Sequence, residues 1–269
     1  MIDGFDSRDP TKSTNGLWDL AKQQSDGHVG VNDTEGASSL GNNFVYGNVA
    51  YSGATILGTS NVQGTVTTPF NKPINPVTAP TWTSFNATPT AITNTMTLTG
   101  GTASAPAKYK VSSLYIDSTK VVTLAPHAAG QQSYIEIWVT GDFTSTGSSC
   151  IQVQPGVHVT YHVQGNMTVT GSSFVNQTDR AANNIINLIN PAATTIQAVT
   201  VTGGGSFIGA INAPGANVSI SGNGEFSGAL IGKTLGMTGG AKMHYDQALV
   251  DLGVPGNGYY FAGFAEAVR

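Results

Sequence analysis

Charge is scarce in this chain. Charged residues are 10% of its 269 residues, against about 25% in an average globular sequence. The 11 lysines and arginines are single and scattered, and the formal net charge is −4. With no basic cluster to neutralise phosphates, nucleic-acid binding is excluded. Cysteine is nearly absent as well. Cys150 stands alone, so no intrachain disulfide can form. At the head of an apolar strand pattern it reads as a small buried hydrophobe rather than a reactive thiol. No run of about 18 apolar residues occurs, so no transmembrane helix is expected. The opening MIDGFDSRDP lacks the basic, apolar and small-residue order of a signal peptide. The favoured expectation is an exported domain whose leader lies ahead of Met1.

Gly, Ser, Thr, Asn and Gln take the place of charge, as suits the corners and surface of a secreted β-solenoid. The organising stretch is Val199–Leu249. VTVTGGGSFIGAI, from Val199, matches VSISGNGEFSGAL nineteen residues later, from Val218. A third copy starts at Leu235, with Met237 where Ile220 stood. A second repeat pairs WVTGDFTSTGSS (from Trp138) with HVQGNMTVTGSS (from His162) at a spacing of 24. Such spacings are too short for βαβ units, which need about thirty residues. They fit coils of short strands, with Val199/Val201 above Val218/Ile220 and Leu235/Met237, and a Phe207/Phe226 ladder. Gly203, Gly222, Gly239, Gly209 and Gly228 are expected at corners. The fold expected is all-β: a single-stranded parallel β-helix (β-solenoid), right-handed by the crossover rule.

Two domain-level segments flank the coils. Residues 1–36 are read as an entry segment and cap, with a short N-terminal helix over Thr14–Gln24. That helix would carry Leu17, Leu20 and Ala21 on one face. Residues 37–269 are the solenoid, with its first coils over 41–70 and a closing segment at 250–269 around Tyr259, Tyr260, Phe261 and Phe264. Within it, 66–109 carries Pro69, Pro73, Pro76, Pro80 and Pro89, which forbid central strands. This Pro/Thr-rich excursion is expected along the solenoid side with Trp82 and Phe85 as anchors. The alternative is a linker between two domains.

Candidate chemistry is sparse. His158 and His162 share a strand face about 13 Å apart, too far for one metal. His244 stands beside Tyr245 and Asp246, and a His–Asp pair can do acid–base chemistry. No nucleophile accompanies it, so it reads as a structural cluster. Asp3, Asp6 and Asp9 could offer oxygens to calcium, but no EF-hand pattern is present. Acids are sparse, and Asp117, Glu136, Asp142, Asp179 and Glu225 do not cluster at coil spacing. Only Glu136 and Asp142 are near in sequence, which makes a polysaccharide-cleaving groove a weak reading. Thr-rich stretches such as TVTTPF and TMTLTGGT raise ice binding, yet no regular T-x-T stack is expected from coil to coil. No catalytic, cofactor or metal residue is assigned.

The residues FIGAINAPGANVSISGNGEFSGALIGKTLGMTGGAKMHYDQAL resemble the C-terminal domain of bacterial PilX-like, pilin-associated pilus-assembly proteins. Ala213-Pro214-Gly215-Ala216, Gly222, Gly228-Ala229, Gly232-Lys233 and His244-Tyr245-Asp246-Gln247-Ala248-Leu249 occupy the places of that family's pattern. Asp3, Phe5, Asp6 and Ser7 resemble its Asp/Ser-rich entry. YYFAGFAEAVR resembles its ending, with Phe264 where Trp is usual. Residues 37–109 match in composition only. The resemblance implies a membrane-anchored, pilin-like helix ahead of an exported β-rich domain, with no catalytic residues to carry over. The expected function is a noncatalytic structural or adhesive domain on the bacterial cell surface. Its partners would be pilus or surface-protein subunits, glycans, or further copies of itself. A self-assembling filament subunit and a carbohydrate-active β-helix enzyme are the alternatives.

Overall fold

Short alternating strands separated by Gly-rich corners leave each strand one apolar face, and every strand pairing in named sheets is parallel. The computed structural model describes residues 1–32, 37–53, 55–70, 73–117, 119–148, 150–190 and 195–251. It is all-β, with a large parallel sheet and only short 3-10 turns, and the strands stack in a solenoid-like column. The side chain of Cys150 and the aromatic ending after residue 251 lie outside the described residues.

From Met96 the chain visits three faces in turn. A short face holds Met96–Thr99, Val121–Ala125, Cys150–Val153 and Phe174–Asn176. A broad face holds Ala107–Val111, Ser133–Val139, Val157–Val163 and Asn184–Leu188. A hydroxyl-rich face holds Leu114–Ile116, Phe143–Ser145, Met167–Thr170 and Gln197–Gly203. The long strands Ser206–Gly222 and Glu225–Met237 turn the corner between the broad and hydroxyl faces. Their first parts extend the broad face and their second parts the hydroxyl face.

The inward ladder is as the repeat implies. Val199 pairs with Val218, and Val218 with Leu235. Phe207 stacks on Phe226 with ring centroids 5.1 Å apart. Phe143, Tyr161 and Phe174 continue the aromatic filling through edge contacts at 5.3 and 6.1 Å. Each such fully buried side chain contributes roughly 1.5–3 kcal/mol of apolar transfer.

Glycines mark one corner. Gly147, Gly171, Gly203, Gly222 and Gly239 all have positive φ, and a Cβ on Gly222 would stand 2.7 Å from the Gly203 carbonyl oxygen. Gly209 and Gly228, expected at corners, lie instead within strands. Gly228 has φ +147, and a Cβ there would meet the Gly209 carbonyl oxygen at 1.8 Å. Ala181 stands beside Gly228 and packs with Ala210, Ala229, Tyr245 and Leu249, while Asn184 stands against Gly209.

Residues 41–70, expected as the first coils, are the last in the stack. Ile2–Phe5 pairs with Lys242–Asp246, the last strand among the described residues. Val45 then bridges Ile2, and Val62 bridges Val45. One inward row therefore runs Phe207, Phe226, Met243, Ile2, Val45, Val62, crossing from the end of the sequence to its beginning. Val29–Val31, Val49–Tyr51 and Val66–Thr67 form a small parallel sheet beside it.

The expected helix over Thr14–Gln24 is replaced by a single 3-10 turn, Leu20–Lys22. Leu17 and Leu20 are 39% and 65% exposed, so no apolar face is buried to stabilise a longer helix, and short helices need such packing.

Reaching the other end of the column falls to the Pro-rich stretch. Val77 exchanges hydrogen bonds with Asn190 (3.0 and 2.9 Å). Trp82 meets His162 and Trp138. Asn86 bonds both backbone groups of Lys108, and Ile92 bridges Leu114. The strap thus crosses the strands of the broad face in reverse order of their sequence.

Candidate functional site

The polar residues that looked most like chemistry are gathered where the first strand joins the last. Register places Asp3 opposite His244 and Phe5 opposite Asp246. His244 Nδ1 and Asp3 Oδ1 are 2.5 Å apart, and both side chains are fully buried. Gln23 Nε2 donates to the other Asp3 oxygen at 2.8 Å. Trp18 lies flat on the imidazole, centroids 3.9 Å apart and planes 20° from parallel. The His244 partner is therefore Asp3, 241 residues away, and not the neighbouring Asp246.

Asp246 has its own task. Its Oδ1 accepts from the backbone N–H of Ser7 at 3.0 Å and of Ala248 at 3.1 Å. Burial pushes its carboxyl above the ordinary range, while the Ser7 and Ala248 donors pull the other way. Asp6 is fixed by Arg8, whose Nε reaches Asp6 Oδ1 at 3.0 Å. Burial raises the Asp6 carboxyl, and the Arg8 contacts outweigh it and hold Asp6 low. Asp9 accepts from the Thr11 N–H and hydroxyl at 2.8 and 2.7 Å. Asp3, Asp6 and Asp9 thus face three different partners. Among the described residues no group of three or more His, Cys, Asp or Glu could hold a metal ion. Lys12 and Asp26 both reach the Gln247 side chain, adding a polar rim to the seam.

The seam was not legible beforehand, because pairing of Asp3 with His244 needs the two chain ends side by side. The one trace was that Ile2-Asp3 and Met243-His244 each set a polar residue next to an inward apolar one.

Elsewhere the candidate residues disperse. His158 stacks on Tyr134 at 4.8 Å and contacts Gln132 Oε1 at 2.7 Å. His162 lies under the strap, against Trp82, and burial lowers its pKa to about 4. Lys110 Nζ sits 4.1 Å from the Trp138 ring and 5.4 Å from that of Phe85, a cation–π arrangement at the strap's edge. Glu136 is on the broad face, its carboxyl raised by burial and opposed by Lys108. Asp142 sits at the corner before Phe143 and accepts from the Asn166 N–H at 2.8 Å. Glu225 pairs with Lys242 at 2.8 Å.

The hydroxyl-rich face corrects the expectation that no T-x-T stack recurs. Thr144, Thr168, Thr200 and Ser219 are consecutive partners across adjacent strands. Two residues on, Thr170, Thr202 and Ser221 form a second column, which Thr146 and Thr238, each just past the end of its strand, extend at either end. Ser219 and Thr238 are exposed and the others half-buried. The steps between tiers, Thr144 to Thr168 to Thr200 to Ser219, are 24, 32 and 19 residues. The 24- and 19-residue steps lie within the two sequence repeats, and the 32-residue step from Thr168 to Thr200 conceals that the repeats share one column.

No curated protein and no solved structure matches the chain. A family model described as a domain of unknown function, DUF7305, matches residues 83–252. That span takes in the strap from Phe85 onward, all three faces and the HYD stretch that holds the first strand. It covers more than half of the sequence, and the chain belongs to the DUF7305 family.

Proposed function

We propose that this chain is a noncatalytic structural or adhesive domain of a pilus-associated protein displayed on the bacterial cell surface, built as a right-handed, single-stranded parallel β-helix. The observation that carries this reading is the use made of His244 and Asp246. Both are 0% exposed, and their contacts tie Asp3 and Ser7 to the last strand. Groups that could serve acid–base chemistry are spent on closing the column.

Two further features support it. Low charge and an exterior of hydroxyls and amides suit a surface that meets other molecules outside the cell. The HYDQAL ending, through which the sequence resembles pilus-assembly proteins, coincides with the seam. In this reading the seam joins the N-terminal strand to the inward row of Phe207, Phe226 and Met243 and so ties the early residues into the column.

The test is a binding screen of the purified chain against pilus subunits, host-matrix proteins and glycan arrays, run beside assays for polysaccharide cleavage. Binding without cleavage is the expected outcome. Depolymerisation of any polysaccharide at catalytic rates would sink the reading in favour of a carbohydrate-active enzyme.

Self-association is a second reading, favoured by the final tier. Leu57 and Val66, on the last strands of the stack, are 54% and 40% exposed. Edge strands of this kind pair readily with other chains. Sedimentation and electron microscopy across a wide concentration range would show filaments or only monomers.

A further inference from the structure

We propose that the hydroxyl-rich face binds ice. Two columns of hydroxyls, headed by Thr144 and Thr146, make up this face. Neighbouring strands in a sheet stand about 4.8 Å apart, and residues i and i+2 of one strand about 6.6 Å apart. The columns therefore form a rectangular grid of hydroxyls with about those two spacings. The strand pairings from Thr144 to Ser221 keep one register, and the irregularity between Ala213 and Asn217 lies before the grid. Oxygen atoms on the faces of an ice crystal repeat over distances of the same size.

The side-chain chemistry fits ordered water better than any other ligand. Threonine is β-branched and stiff at χ1, so the hydroxyls and methyls of a column repeat with the backbone. Each methyl orders the water beside it, and each hydroxyl can anchor one of those waters by a hydrogen bond. The Thr202 and Ser221 hydroxyls already bridge at 3.0 Å, holding their column in line. No member of either column from Thr144 to Thr238 carries charge, which would impose its own hydration. A polysaccharide surface would call for aromatic platforms, and the grid itself holds none. Tyr115, opposite Thr144, stands at its edge. The strap crosses the broad face and leaves this one open.

The experiment uses the whole chain. The fraction of protein taken into slowly grown ice, and the rate of ice recrystallisation, are measured for wild type and for Thr168→Lys/Thr200→Lys. Thr97→Lys, exposed on the short face, is the control, and Ser219→Lys, at an exposed grid position, is the second variant should the double change impair folding. Circular dichroism and melting curves establish that each variant is folded. Wild type is expected to enter the ice and slow recrystallisation, as is Thr97→Lys. Loss of about tenfold in ice-bound fraction is expected for the grid variants. Exclusion of the wild type from ice, at the level of a non-binding control protein, would overturn the proposal. So would grid variants that enter ice as well as wild type. Binding to crystalline chitin or cellulose, lost in the grid variants while ice binding is absent, would reassign the face to a polysaccharide.

Discussion

Asp246 shows how a residue with catalytic potential is put to structural use. It holds two backbone N–H groups in a site closed to solvent. An asparagine oxygen can accept both bonds, whereas alanine leaves both donors buried without partners. Each orphaned donor costs about 1–3 kcal/mol. Asp246→Ala is therefore expected to lose about 3 kcal/mol in denaturant titration, and Asp246→Asn far less. Burial already penalises the ionised carboxyl, which removes part of what Asn would otherwise forfeit. A second residue-scale test is Gly228→Ala. The added carbon would overlap the Gly209 carbonyl oxygen at 1.8 Å, at a φ of +147. Backbone cannot yield as a flexible side chain does, so a loss of at least about 3 kcal/mol, or failure to fold, is expected. The need for glycine at 209 and 228 was legible from the repeat. The reason was not, because a mid-strand approach of Ala181 and neighbouring backbone exists only once the strands are stacked.

At the scale of the element, the strap is held by aromatics, a lysine pair and the half-buried imidazole of His162. His162 stays neutral down to about pH 4 in the folded chain, because burial disfavours its charged form. Freed, it titrates near the ordinary 6.5. Below 6.5 the released state binds the extra proton, so strap docking weakens as pH falls from 6.5 to about 4 and then levels off. Glu136 on the same face has a raised pKa, which gives the opposite slope within its own window. The contribution of His162 is thus read as a difference: tryptophan fluorescence is followed through this pH range in wild type and in His162→Asn. A pH-dependent change from Trp82 and Trp138 is expected to flatten in the variant, and identical profiles would refute it. The element absent from the structure is equally instructive. TNGLWDLAKQQ has helical spacing, but Trp18 is drawn onto His244 and Leu20 stays exposed, leaving one 3-10 turn.

For the whole molecule, the order of strands in space departs from their order in sequence. Residues near the start complete the end of the column, and the strap spans the gap. Contacts along Met243, Ile2 and Val45, with the Asp3–His244 pair beneath Trp18, should hold the N-terminal tiers in place without covalent help. A protease site introduced at exposed Asn75–Pro76 tests this. The cut chain is expected to elute as one species of unchanged size under native conditions and to separate into two pieces in denaturant. Separation without denaturant would show that the strap carries the attachment.

Sequence alone determined the all-β class, the inward rows of Val199, Phe207 and their partners, and, within the excursion, the Pro69–Pro89 run, whose described residues hold no strand although Val66–Thr67 and Met96–Thr99 flank it. Each follows from local chemistry: alternation sets a face, glycine permits a corner, and proline removes a donor. Tertiary structure alone decided which rows meet. Strand pairing couples residues through space at about 4.8 Å whatever loop length separates them. The 32-residue step from Thr168 to Thr200 hid the join between the two repeats, and the 241-residue separation hid Asp3 from His244. The stacking of the chain's two ends, which no periodicity encodes, created both the buried seam and the order of the column.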